Sequence, residues 1–190
     1  VEWIAKEADA LVEAWEPGMK GGIALAEILY GHVNPSGKLP VTFPRSTGNI
    51  LSVYNHMPSH YFHPIVMEDP MPLYEFGYGL SYTTYEYANL QAGDFKDGIL
   101  EVSVDVTNTG LRAGEEIVLL FMRDDYASMT RPVKELKAFT KVSLNPGETK
   151  TVKLEVRQDQ LKFLGADGKW RIEPGTFTVM VDTLFATVEL

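Results

Sequence analysis

The chain has 190 residues, 45% hydrophobic and 23% charged, with a formal net charge of −9. That balance suits a folded chain with a core of useful size. An acidic chain without a Lys/Arg cluster lacks the footprint of a nucleic-acid binder and has no basic membrane-surface helix. With no cysteine, disulfides, thiolate catalysis and Cys-ligated metals are excluded, and no apolar run approaches the roughly 20 residues that span a bilayer.

Val1 opens directly into helix-like sequence without a leader or a starting Met, so a cut from something longer is expected. Val1, Ile4, Ala5 and Ala8 recur at helical spacing. Ala10 to Trp15 reads as a short buried strand, and Pro17-Gly18 as a turn. Gly21-Gly22 leads into a helix over Ile23 to Tyr30, with Ile23, Ala26 and Tyr30 on one face and Gly31 as its stop. Asn34-Pro35-Ser36-Gly37 is a turn cluster, and Leu39 to Phe43 a short extended run closed by Pro44. A buried strand between helices belongs to a parallel sheet covered on both faces. Roughly fifty residues supply one or two such strands, too few for that sheet. The expectation is therefore the end of an α/β domain over residues 1–45.

Residues 46–82 read as a long connection, broken by Pro58, Pro64, Pro70 and Pro72 and rich in aromatics. From there the texture changes. Leu100–Thr107, Thr151–Val156 and Thr176–Val181 alternate with period two, Glu116–Met122 reads as an apolar strand, and Val133–Leu144 as another extended segment. Asn108-Thr109-Gly110, Asn145-Pro146-Gly147, Asp167-Gly168 and Pro174-Gly175 mark turns. About seven strands over 83–190 predict an immunoglobulin-like sandwich, of the fibronectin type III variety because no Cys pair pins it. The fold class is thus mixed: a partial α/β segment, then an all-β sandwich.

Five sets of residues are candidates for function. Trp15 and Glu16 follow the predicted strand, where open α/β sheets bind ligands; Trp15 would stack on a sugar, or else anchor packing. Gly18-Met19-Lys20-Gly21-Gly22 lacks P-loop or dinucleotide spacing, so its glycines are expected to allow close helix–strand approach. His56, His60 and His63, with Glu68 and Asp69 nearby, have a spacing that would suit zinc on a helix, but Pro58 and Pro64 predict a solvated loop. The run Leu73-Tyr74-Glu75-Phe76-Gly77-Tyr78-Gly79-Leu80-Ser81-Tyr82-Thr83 is the most distinctive. Its rings are either a stacking platform or, as we expect, a hinge that welds the two parts together, with Gly77 and Gly79 letting the backbone turn beneath them. Arg112, Arg123, Asp124, Asp125, Arg131 and Lys134 read as scattered charges on the sandwich, with no Ser–His–Asp arrangement.

These runs resemble a known family. Glu16 to Gly31 followed by Asn34-Pro-Ser-Gly-Lys-Leu-Pro-Val-Thr-Phe-Pro is similar to the end of the second domain of family 3 glycoside hydrolases. Tyr74 to Thr83 resembles that family's Pro-Phe-Gly-Tyr-Gly-Leu-Ser-Tyr-Thr signature, with Glu75 in place of the usual Pro. Asn108-Thr-Gly, Arg131 to Phe139 and Leu144-Asn-Pro-Gly-Glu-Thr resemble its fibronectin type III-like domain, closest to the bacterial β-glucosidases. The loop Ser59–Pro70 is short for those relatives, and the stretch from Val181 to Leu190 lacks their usual Gly and Ser. The resemblance implies a retaining exo-glycosidase that uses a nucleophilic Asp and an acid/base Glu, with no cofactor. Both carboxylates are expected upstream, so no residue here maps onto either, and Glu16 drops to a position on the substrate rim. The implied partners are the N-terminal part of the same enzyme and, for the whole, an oligosaccharide or aryl β-glycoside. Homodimer formation is left open, as is the choice between periplasm, secretion and cytoplasm.

Overall fold

The computed structural model describes residues 2–49, 52–58 and 71–190. Nine strands are assigned among them: β1 (Tyr85–Ala92), β2 (Ile99–Asn108), β3 (Gly114–Asp124), β4 (Glu135–Leu144), β5 (Thr149–Arg157), β6 (Phe163–Leu164), β7 (Trp170–Arg171), β8 (Thr176–Val181) and β9 (Leu184–Glu189). Seven of them make the sandwich. One sheet has the order β1-β2-β5 and the other β4-β3-β8-β9, with every neighbouring pair antiparallel. The short β6–β7 pair forms a separate hairpin.

Alternation builds the core. Leu100, Val102, Val104 and Val106 of β2 face Val118, Leu120 and Met122 of β3 between the sheets, together with Val152, Leu154 and Val156 of β5 and Phe177, Val179 and Val181 of β8. Period-two β-branched residues place one row of side chains inward from each strand. β3 is the exception that explains its composition. Its other face carries Ile117, Leu119 and Phe121, all partly buried, because the connector lies across them. A strand covered on both faces is apolar throughout.

The N-terminal segment carries two helices, α1 (Glu2–Glu7) and α2 (Gly21–Leu29). Gly31 stops the second at φ 73°, a left-handed conformation suited to glycine. The face read for α2 points outward: Ile23 and Tyr30 are exposed, while Leu25 and Ile28 are partly covered. The expected buried strand is corrected. Ala10–Trp15 joins no ladder, and Leu11 and Val12 are 51% and 46% exposed. A strand is defined by its neighbours' hydrogen bonds, and no described segment lies alongside this one to supply them.

The extended run before Pro44 finds a partner instead in the connector. Leu39 N–H donates to Tyr78 O, Gly77 N–H to Leu39 O, and Phe43 N–H to Tyr74 O, each at 2.8 Å. Residues 52–58 are pinned to the sandwich by two bonds, from Val133 N–H to His56 O at 2.9 Å and from Leu136 N–H to Tyr54 Oη at 3.3 Å. The first of these holds Val133 against the connector, and β4 begins two residues later.

Candidate functional site

Among the described residues, the aromatic run makes two sets of ring contacts. Phe76 stacks on Tyr54 at 4.4 Å, and both rings meet the edge of Phe121 on β3, at 6.1 and 5.7 Å. The second set is a row: Trp15 edge-on to Phe43 at 5.9 Å, Phe43 to Tyr74 at 6.5 Å, and Tyr74 stacked on Tyr78 at 4.8 Å. Tyr82 reaches the other way. Its hydroxyl donates to Ile28 O at the end of α2 at 2.8 Å, and the Arg112 guanidinium lies 5.7 Å from its ring centroid. Phe76 and Tyr74 are partly buried, whereas Tyr78 and Tyr82 keep 42% and 44% of their surface.

Both connector glycines sit where a side chain has no room. Gly77 has φ 84°, and a Cβ there would lie 2.7 Å from Leu119 Cδ1. A Cβ on Gly79 would collide with the Gly37 carbonyl. By contrast, the reading of Gly21 as a helix–strand contact is corrected. Its missing Cβ makes room for the Pro17 ring, 2.6 Å away, within its own turn.

A polar seam that the sequence did not announce runs beside the rings. Asn34 donates to Ala113 O at 3.0 Å and accepts from Ser81 Oγ and Tyr82 N–H, each at 2.8 Å. Lys141 Nζ donates to Ser36 Oγ at 3.1 Å. Lys38 Nζ lies 3.1 Å from Glu116 Oε1 and donates to Gly79 O at 3.1 Å. Glu116 is buried at the start of β3 and also accepts the Tyr87 hydroxyl at 2.9 Å. Burial, and then the Glu116 charge, push the Tyr87 pKa well above the usual phenol range. The Asn34–Lys38 run reads as a turn, yet each of its polar side chains is aimed at the sandwich. The available signal was three hydrogen-bonding side chains within one five-residue turn.

Trp15 has φ 50°, an uncommon conformation for a bulky residue, and its N–H donates to Glu13 Oε1 at 2.9 Å. Trp15 forms the outer end of the ring row, and Glu16, next to it in the chain, is exposed. His56 Nδ1 is 3.0 Å from Met57 O; His60, His63, Glu68 and Asp69 lie outside the described residues. Among the described residues no group of three His, Cys, Asp or Glu is placed to hold a metal ion.

The charges read as scattered on the sandwich are not all so. Arg123, Asp124, Asp125 and Arg131 line one cavity of about 540 Å³. Arg112 is instead over Tyr82, and Lys134 Nζ sits 5.2 Å from the Phe121 ring centroid and 3.9 Å from Glu75 Oε2.

Comparison with known proteins bears on the whole chain. Residues 1–82 match the family model described as glycosyl hydrolase family 3 C-terminal domain, and residues 116–184 match the fibronectin type III-like domain. A periplasmic beta-glucosidase of Salmonella typhimurium is 42% identical over 97% of this chain and 26% of its own length. A beta-xylosidase of Formosa agariphila is 41% identical over 95% of this chain and 26% of its own. Among solved structures, a β-glucosidase from Erythrobacter marinus superposes with a TM-score of 0.91 at 42% identity, over 98% of this chain and 26% of that one. The beta-glucosidase from Listeria innocua in complex with glucose gives 0.87 at 36% identity, over 98% and 28%. The chain therefore spans about a quarter of the length of the curated relatives it matches. Two matched segments and relatives aligned along nearly its whole length agree, and the chain belongs to glycosyl hydrolase family 3, as a C-terminal portion.

Proposed function

We propose that this chain works as the C-terminal part of a retaining exo-β-glucosidase that releases terminal β-linked sugars, and that the chain itself is accessory rather than catalytic. The observation that carries the reading is the 42% identity with a periplasmic beta-glucosidase across 97% of the chain. The nucleophile and acid/base carboxylates of the double-displacement mechanism belong, on this reading, to the N-terminal part of the same enzyme. That part is the partner. The division into 1–45, 46–82 and 83–190 belongs to the same proposal.

In this reading Tyr74, Phe76, Tyr78 and Tyr82 brace the sandwich against the α/β segment. The Phe76–Phe121 and Tyr82–Ile28 contacts support it. Trp15 and Glu16 are read as rim positions, supported by the left-handed backbone at Trp15, since such strain concentrates at functional sites. The rival reading, a carbohydrate- or protein-binding module working through these rings, draws on the exposure of Tyr78. The test is an assay of the purified chain on an aryl β-glucoside. No release above the buffer rate is expected, and saturable turnover by the chain alone would sink the proposal.

A further inference from the structure

The segment that leaves β3 and returns as β4 walls an open pocket of about 540 Å³, to which Pro58 of the connector also contributes. Four of its lining side chains are charged, two of each sign: Arg123, Asp124, Asp125 and Arg131. Each is held in place by other groups. Arg123 Nε donates to Asp125 Oδ1 at 2.6 Å, and Asp125 accepts Thr178 Oγ1 at 2.8 Å. Arg131 donates to Glu135 at 2.9 Å, and its guanidinium lies 4.9 Å from the Phe163 ring centroid. The Asp124 carboxylate, 6% exposed, is 3.7 Å from Arg131 Nε. Tyr126, also in the lining, is 84% exposed.

These features select a ligand class. The four charges cancel, so an ionic ligand of either sign meets repulsion as well as attraction. A hydroxyl suits both kinds of wall, because it donates to a carboxylate and accepts from a guanidinium. An exposed phenol ring adds an apolar face beside that polar wall, the pairing that a pyranose ring presents in reverse. The volume lies within the ordinary range of small-ligand pockets. Charged groups already fixed by neighbours lose little freedom on binding.

We propose that this cavity is a saccharide-binding site that takes a pyranose unit of a neutral oligosaccharide, with Tyr126 against the ring and the Arg123–Asp125 pair on its hydroxyls. The choice of a β-glucan probe rests on the glycosidase reading; the binding itself does not. The experiment is an amide chemical-shift titration of the 190-residue chain with cellotriose, repeated with glycerol and with sodium sulfate. Saturable shifts confined to residues 123–131 are expected, with a Kd around 1 mM. Tyr126→Ala, at an exposed position, should weaken binding roughly five- to tenfold while the remaining spectrum is kept. No saturation with cellotriose, equal shifts from glycerol, tighter binding of sulfate, or an unchanged Kd in Tyr126→Ala would each overturn it. The glycosidase reading stands or falls separately, on hydrolysis.

Discussion

Removing the Asn108 carboxamide would leave four groups short of a partner. The side chain is fully buried at the end of β2. It donates to Arg112 O at 2.7 Å and Leu144 O at 3.1 Å, and accepts Thr83 Oγ1 at 2.6 Å and Gly110 N–H at 3.1 Å. One side chain thus ties the entry to β1, the β2–β3 turn and the end of β4. Asn108→Ala is expected to cost about 2–4 kcal/mol, because orphaned buried groups carry their full desolvation penalty; urea unfolding measures it. The Tyr87 hydroxyl makes a different prediction. Its pKa is raised in the folded state, first by burial and then by Glu116. Below a pH of about 10 it is protonated in both states and its contribution is complete. Above that, the unfolded chain ionises first, so stability falls as pH rises. Urea midpoints at pH 8 and pH 11 should show that decline. Tyr87→Phe should flatten it in part, Tyr85 being shifted in the same direction by burial.

At the scale of elements, the Asn34–Lys38 turn is locked to β3 of the sandwich by the Lys38–Glu116 pair, 19% and 8% exposed. Breaking such a pair from one side strands a charge. Lys38→Met should therefore cost about 3 kcal/mol, and adding Glu116→Gln should recover part of it. The neutral amide still accepts the Tyr87 hydroxyl, and thermal melts of the two variants would register the recovery. The same scale shows what was readable in the sequence. β2, β5 and β8 announced themselves because each buries alternate residues. β1 did not. Its register shifts between Ala88 and Gln91, around Asn89 at φ 53°, and the bulge breaks the period. β9 is an edge strand that covers Leu184, Ala186 and Val188 in alternation, but Phe185 on its outer face is apolar and exposed, which blurs the period in the sequence. The aromatic run was legible as a feature. Its partners were not, because Tyr54, Phe43 and Phe121 are far away in sequence. The four-residue charge cluster of the cavity was hidden for a related reason: its members look solvated until the β3–β4 segment folds back on itself.

For the whole molecule, order is expected to be uneven. The sandwich closes its own ladders, while Ala10–Trp15 has none among the described residues. Amide hydrogen exchange should reflect this. Residues 10–15 should exchange fastest, and β2 and β3 should approach the global unfolding limit. Protection of 10–15 comparable to that of β2 would mean that the segment finds strand partners in solution. The outer face of β3 carries a last consequence, for anyone who would excise the sandwich as a portable module. A chain starting at Tyr85 would uncover Ile117, Leu119 and Phe121 beside the already exposed Phe139. That apolar stripe on a flat sheet invites self-association. The connector is thus also a solubility cover, and the clean place to cut lies upstream of it.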